Sequence, residues 1–177
     1  MARGRGRRFG RWWGRLLVGV PALGLVVSLL LVSGCAAPAL ERLWSDYDRE
    51  AADFATLALP DSPNRYLVAP PGFTAATPDR AAPEFAMPAE ALRDAFVAML
   101  ADEPDVIELA RGDDGLLRHY LQRTPIIRWP DTVTVRFIAL GEARSTLAIY
   151  SRSSYGYGDF GTNRARVEDW LGRLSDL

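Results

Sequence analysis

Apolar positions change rhythm along this chain, and the changes mark its elements. Residues 16–34 are an almost unbroken apolar run. Leu40, Leu43, Trp44, Tyr47, Ala51, Phe54 and Ala55 then recur at helical spacing, which predicts a partly helical tether over residues 36–59. Pro60, Pro63, Pro70, Pro71, Pro78, Pro83 and Pro88 follow within 29 residues. Proline at this density disfavours regular helix and central strand, so residues 60–87 read as a surface loop. Pro88 is tolerated at a helix start. Leu92, Phe96, Met99 and Leu100 fall on one helical face behind it, and Asp102-Glu103-Pro104 ends that helix.

The period then shortens to two. Residues 106–111 and 116–123 read as strands flanking the hairpin turn Asp113-Asp114-Gly115. After a bend around Trp129-Pro130, residues 132–140 form the clearest strand. Val133, Val135, Phe137 and Ala139 face one way, and Thr132, Thr134 and Arg136 the other. Residues 144–152 make a fourth strand, with Leu147 and Ile149 inward. A glycine-rich loop leads to a last helix over residues 163–174, where Val167, Trp170, Leu171 and Leu174 share a stripe. The expected fold is α+β. It is a two-layer sandwich, with a four-stranded antiparallel meander and a helix before and after it on one face, over residues 88–177. The second sheet face, bearing Thr, Arg and Tyr, is left to solvent, the proline-rich loop or a partner.

The first 35 residues carry an address. Arg3, Arg5, Arg7, Arg8, Arg11 and Arg15 precede the apolar run, which ends in Val32-Ser33-Gly34-Cys35. Basic, apolar and small-residue regions follow in the order of a secretory signal. The ending resembles the lipobox of bacterial lipoproteins, whose cysteine carries fatty acyl chains such as palmitate. The run is also close to the ~20 residues of a spanning helix, so an uncleaved membrane anchor is the alternative; the small residues before Cys35 favour lipidation. Either way the arginines stay inside and the domain lies outside the cytoplasm, in the cell envelope or periplasm. The pair Arg7-Arg8 is not a twin-arginine signal, because Phe9-Gly10-Arg11 lacks its apolar positions.

Charge changes once this leader is set apart. Six of the 21 basic residues and none of the 22 acidic ones precede Cys35, which leaves −7 on the remainder. An acidic surface argues against nucleic-acid binding. Cys35 is the only cysteine, so no intramolecular disulfide and no cysteine cluster for zinc is available.

Candidate chemistry is sparse. Gly156-Tyr157-Gly158-Asp159-Phe160-Gly161 spells G-x-G-x-x-G between a strand and a helix. The dinucleotide fingerprint also needs a following strand with an acidic residue, and the chain offers none. The glycines instead permit positive φ in a tight turn, with Asn163 or Thr162 as cap and Asp159 at the positive helix end. An anion held there by Arg152, Arg164 and Arg166 competes with Asp159 for the same donors. Asp159 is expected to pair with Arg152 or Arg164 in a structural network. His119, the single histidine, has no partner set for zinc or for a catalytic triad and reads as structural. Neither a metal nor a cofactor is expected. Glycosidase carboxylates stay open, because such partners lie far apart in sequence.

From Asp61 to the end the chain resembles the bacterial domain of unknown function family 1499. The resemblance rests on Pro63-Asn64, on Gln122-Arg123-Thr124-Pro125 followed by Trp129-Pro130-Asp131, and above all on residues 150–153 and 158–161 with Asn163-Arg164 and Arg166-Val167-Glu168. Arg65 stands where many members have cysteine. The resemblance implies an α+β domain, often behind a membrane anchor, with no established activity. Its motif residues here are Arg123, Asp131, Arg152, Asp159, Asn163, Arg164 and Glu168, either a ligand groove or a structural knot. The function expected is an envelope lipoprotein acting as a non-enzymatic binding or structural module. The alternative is an envelope enzyme or small-ligand binder using the Arg/Asp cluster at the glycine-rich loop.

Overall fold

A computed structural model describes residue 24, residues 27–29 and residues 35–176. The signal or anchor expected over residues 1–35 therefore falls almost wholly outside the described residues. Among the described residues, no helix is long and apolar enough to cross a membrane.

The chain folds as α+β. A short helix, α1 (Ala37–Leu43), is succeeded by an extended segment and then by β1 (Arg65–Ala69), β2 (Arg80–Ala81) and β3 (Glu84–Phe85). Next come α2 (Ala89–Leu100), β4 (Val106–Arg111), β5 (Leu117–Arg123), β6 (Pro130–Ala139), β7 (Ser145–Ser153) and α3 (Thr162–Ser175). The seven strands form one mixed sheet in the order β2-β1-β7-β6-β5-β4, with β3 also against β7. The antiparallel meander expected from the sequence is its β4–β7 part. The correction is that β1, β2 and β3 extend it, with β1 antiparallel to β7 and parallel to β2.

That correction falls on the proline-rich segment, which is not a loop throughout. Pro63 and Pro70 leave six proline-free residues between them, enough for a five-residue strand. β1 uses them, pairing Arg65 with Arg152 through to Val68 with Ile149. Leu67, Val68 and Ala69 are completely buried. Pro83 separates the two-residue strands β2 and β3, and short, proline-interrupted strands are usual at a sheet edge.

Both long helices cover one face. α2 buries Leu92, Phe96 and Leu100, and α3 buries Val167, Trp170, Leu171 and Leu174. They meet Tyr66, Val68, Val133, Val135, Phe137, Leu147 and Ile149 from the sheet. Phe96 sits at the centre, with its ring 5.6 Å from Trp170 and 5.5 Å from Phe137, both edge-on. Each fully buried side chain of this size contributes about 1.5–3 kcal/mol before entropy.

The second face is also covered, which the sequence pattern left open. The helical tether expected over residues 36–59 is helical only in α1; the rest crosses the sheet as a strap, extended except for a turn at residues 54–56. Phe54 is buried with Leu67, Ala69, Ala148 and Tyr150, and Leu57, Leu59 and Phe73 pack around them. The Phe54 and Phe73 rings lie 5.9 Å apart. The folded unit therefore begins well before residue 88. The helical spacing of Trp44, Tyr47, Ala51 and Phe54 is overridden because an extended strap reaches further. It rises about 3.3 Å per residue against 1.5 Å in a helix.

If the strap is part of the core, Phe54→Ala should lower unfolding free energy by about 3 kcal/mol. Urea denaturation of the full chain reads this; an unchanged midpoint would mean the segment is only a tether.

Candidate functional site

The motif residues divide between the two faces of the sheet. On the helix side, the loop after β7 turns back so that α3 starts beside the ends of β1 and β6. Gly161 at the helix N-cap has φ +80°, and Gly156 has φ +81°; both use the freedom of glycine. Gly158 does not take positive φ among the described residues, so the three glycines are not equivalent.

Asp159 does not pair with Arg152 or Arg164, contrary to expectation. Its Oδ1 accepts the Gly161 N–H at 3.0 Å, and its Oδ2 accepts the Asn163 N–H at 2.8 Å and the Asn163 amide at 2.7 Å. Asp159 thus caps α3 from outside its first turn. Burial alone would raise its pKa. The Asn163 and Gly161 donors outweigh that and hold the carboxyl below its ordinary value. The Gly161, Thr162 and Asn163 N–H groups, which an external anion would use, are already taken.

Asn163, fully buried, ties three segments together. Its Nδ2 also donates to the Asn64 carbonyl at 3.1 Å, and its Oδ1 accepts from Ser151 Oγ at 2.6 Å and Arg166 Nη1 at 2.9 Å. Asn64 Nδ2 donates to the Gly156 carbonyl at 2.7 Å. Arg166 completes the network, donating to Ser151 Oγ at 2.9 Å and to Asp131 Oδ2 at 2.6 Å. The Asp131 and Arg166 side chains are 2% and 7% exposed. Asp131, Asp159 and Asn163 are therefore brought together, and the arginine that joins them is Arg166.

Arg166 enters the sequence reading as a candidate anion holder and not among the motif residues of the network, although the sequence carries a signal for its burial. Asn163, Arg166, Val167, Trp170, Leu171 and Leu174 lie on one helical stripe. A charge on the buried stripe of a helix demands a buried counter-charge, and Asp131, the second residue of β6, supplies it.

The other motif residues lie apart. Arg164 places its guanidinium 5.8 Å from the centre of the Tyr66 ring. Glu168 accepts the Tyr66 hydroxyl at 2.6 Å and pairs with Arg80. The burial of Tyr66, followed by its bond to Glu168, raises the phenol above its ordinary value. Arg152 and Arg123 are on the strap side. Arg152 pairs with Asp48. Arg123 donates to the Arg128 carbonyl at 2.9 Å and faces the Tyr47 ring at 5.6 Å.

His119 is structural in a specific way. It is buried under the strap, with Nε2 3.3 Å from the Asp48 carbonyl and Nδ1 2.9 Å from Thr134 Oγ1. Thr134 Oγ1 also accepts the Ala52 N–H at 3.0 Å. With the imidazole neutral and protonated at Nε2, the threonine hydroxyl donates to Nδ1 and Nε2–H donates to Asp48 O. Burial lowers the His119 pKa, consistent with that tautomer.

Two concavities flank these groups. A polar one of about 480 Å³ lies between strap and sheet, lined by Asp46, Asp48, Ser62, Asn64 and Arg152. A smaller, apolar one of about 260 Å³ is lined by Ile126, Trp129, Tyr155 and Phe160. Among the described residues, no group of three or more His, Cys, Asp or Glu side chains is placed to hold a metal ion.

A family model described as a protein of unknown function (DUF1499) matches residues 57–174. The chain belongs to the DUF1499 family. No curated protein and no solved structure gave a match. The DUF1499 match starts within the strap, just beyond Phe54, and ends at Leu174, the last buried position of α3. It thus spans all seven strands and both long helices.

The network has two measurable consequences. Removing one side of the Asp131–Arg166 pair leaves a buried charge, so Asp131→Ala should cost about 3–5 kcal/mol, and Asp131→Ala with Arg166→Met should cost less than Asp131→Ala alone. Chemical denaturation of both variants checks this; equal or greater loss in the double variant would contradict it. His119 has a folded pKa below its unfolded value near 6.5. Its contribution to stability is complete above pH ~6.5 and declines as pH falls below that value. Unfolding free energy should therefore drop between pH 7.5 and 5.5. The drop should be smaller in His119→Gln, and identical slopes for the two proteins would refute it.

Proposed function

We propose that this DUF1499 protein is a bacterial envelope lipoprotein whose domain is a non-enzymatic binding or structural module held outside the cytoplasm. The observation that carries the module reading is how the motif side chains are used. Asp131 and Arg166 neutralise each other, Asp159 caps α3, Asn163 bridges loop to strand, and Arg152 holds the strap through Asp48. A catalytic set would leave a nucleophile or base with free capacity facing a cavity. Here the titratable motif groups are spent on the chain itself.

The anchoring half of the reading is supported by the lipobox-like sequence ending at Cys35 and by the start of the fold directly after it. Cys35 is exposed, and α1 begins two residues later. A thiol at that place is accessible to modifying enzymes, and nothing in the folded domain employs it.

Mass spectrometry of the N-terminus of the protein isolated from its own membranes tests the anchor. A diacyl or triacyl cysteine at position 35 is expected, and Cys35→Ser should accumulate as an uncleaved precursor. An unmodified Cys35 within a chain still beginning at Met1 would refute lipidation.

A further inference from the structure

The loops at one end of the sheet carry an apolar surface that the fold does not use. Ile126 and Trp129 precede β6, while Tyr157 and Phe160 belong to the loop after β7; all four are exposed. Ile126, Trp129 and Phe160 border the same apolar concavity. Phe160 is completely exposed, and its φ is +54°. A bulky residue in the left-handed region is strained. Here the strained backbone holds an aromatic ring out in water, where it makes no contribution to the core.

The chain itself indicates what covers this surface. α1 is fastened to the same loops. Trp44, its C-cap, donates from Nε1 to the Ile127 carbonyl at 2.9 Å, and its ring lies 6.4 Å from Trp129 and 5.1 Å from Tyr155. Glu41 pairs with Arg128 at 2.6 Å. α1 is seven residues long, about 10 Å, and Cys35 stands just before it. The apolar run 16–34 ends at the residue before Cys35. Whether Cys35 is acylated or the run remains as a helix, the bilayer meets the chain within about a helix length of these loops. Exposed Leu43 on α1 adds to the same end.

We propose that Ile126, Trp129, Tyr157 and Phe160 form a membrane-interface docking surface, which seats the domain on the bilayer holding residue 35. This rests on the anchoring reading above. Tryptophan and tyrosine at loop tips suit the headgroup region, where an apolar body and a polar tip are both satisfied, and phenylalanine and isoleucine suit the acyl boundary just below it. A contiguous exposed apolar patch marks an interaction site. With the strap bonded to the sheet, the domain has no long flexible leash, so the docked orientation is set by the fold. The opposite end of the sheet then points away from the membrane, about 33 Å distant along the ten residues of β6.

The test places nitroxide labels on Ile126→Cys, Phe160→Cys and Leu140→Cys in the full chain. The chain is reconstituted in vesicles of phosphatidylethanolamine and phosphatidylglycerol, and the parent chain reports any label on Cys35. Leu140 is exposed beyond the far end of β6. Accessibility to oxygen relative to a water-soluble nickel chelate should be several-fold higher at 126 and 160 than at 140. Equal ratios in a chain that floats with the vesicles would overturn the docking surface and leave the anchor standing. Protection at 126 and 160 from both reagents would mean burial against protein and would also overturn it. A chain that does not float would overturn the anchor and the docking with it.

Discussion

β1, β6 and β7 are buried on both faces, and the rest of the molecule is arranged around that constraint. Leu67, Val68 and Ala69 are successive residues, so they point alternately to the two sides, yet all are closed to water. Two covering layers are therefore required. α2 and α3 provide one. The strap through Phe54 provides the other, with residues 70–76 folded against it; the Ala75 N–H bonds the Phe54 carbonyl at 3.1 Å. Unlike a helix, an extended strap cannot satisfy its own backbone groups. It is fastened by side chains below it: Thr134 takes the Ala52 N–H, His119 meets the Asp48 carbonyl, and Tyr155 takes the Asp46 N–H. This explains why polar residues alternate on a face that is nevertheless buried.

The polar network beneath α3 answers a different need. A helix laid across a sheet face must have its first turn fixed, or its stripe slides over the strands. Asp159 satisfies the leading N–H groups, Asn163 binds the edge of β1 through the Asn64 carbonyl, and Arg166 reaches Asp131 on β6. A buried pair of this kind contributes little net stability but is costly to break. Its effect is positional, fixing where Val167, Trp170 and Leu171 enter the core.

Local rhythm made the α2–β4–β5–β6–β7–α3 part legible. Val133, Val135 and Phe137 alternate against Thr132 and Thr134, and the stripe Val167, Trp170, Leu171, Leu174 is strict. β1 was hidden because its five residues are bracketed by prolines and apolar on both sides, so no alternation shows. The strap was hidden because Trp44, Tyr47, Ala51 and Phe54 fit a helical period, while their true register is set by Thr134, His119 and Tyr155, which are distant in sequence. At the site, the motif loop was legible but its partners were not. Proximity along the chain favoured Arg152 and Arg164 for Asp159. Arg152 instead faces the strap, one residue out of phase with Ser151 and Ser153, and Arg164 is turned outward over Tyr66.

What distinguishes this molecule from a domain on a leash is that its chain is committed to the fold almost from Cys35. Amide hydrogen exchange of the full chain in its native state reads this most directly. The Ala52 amide, bonded to Thr134 Oγ1, should exchange only through an opening as costly as that of the β6 and β7 core amides, because releasing the strap uncovers Leu67, Ala69 and Tyr150. Exchange of Ala52 at the rate of an unprotected peptide, with β6 and β7 still protected, would contradict an integral strap.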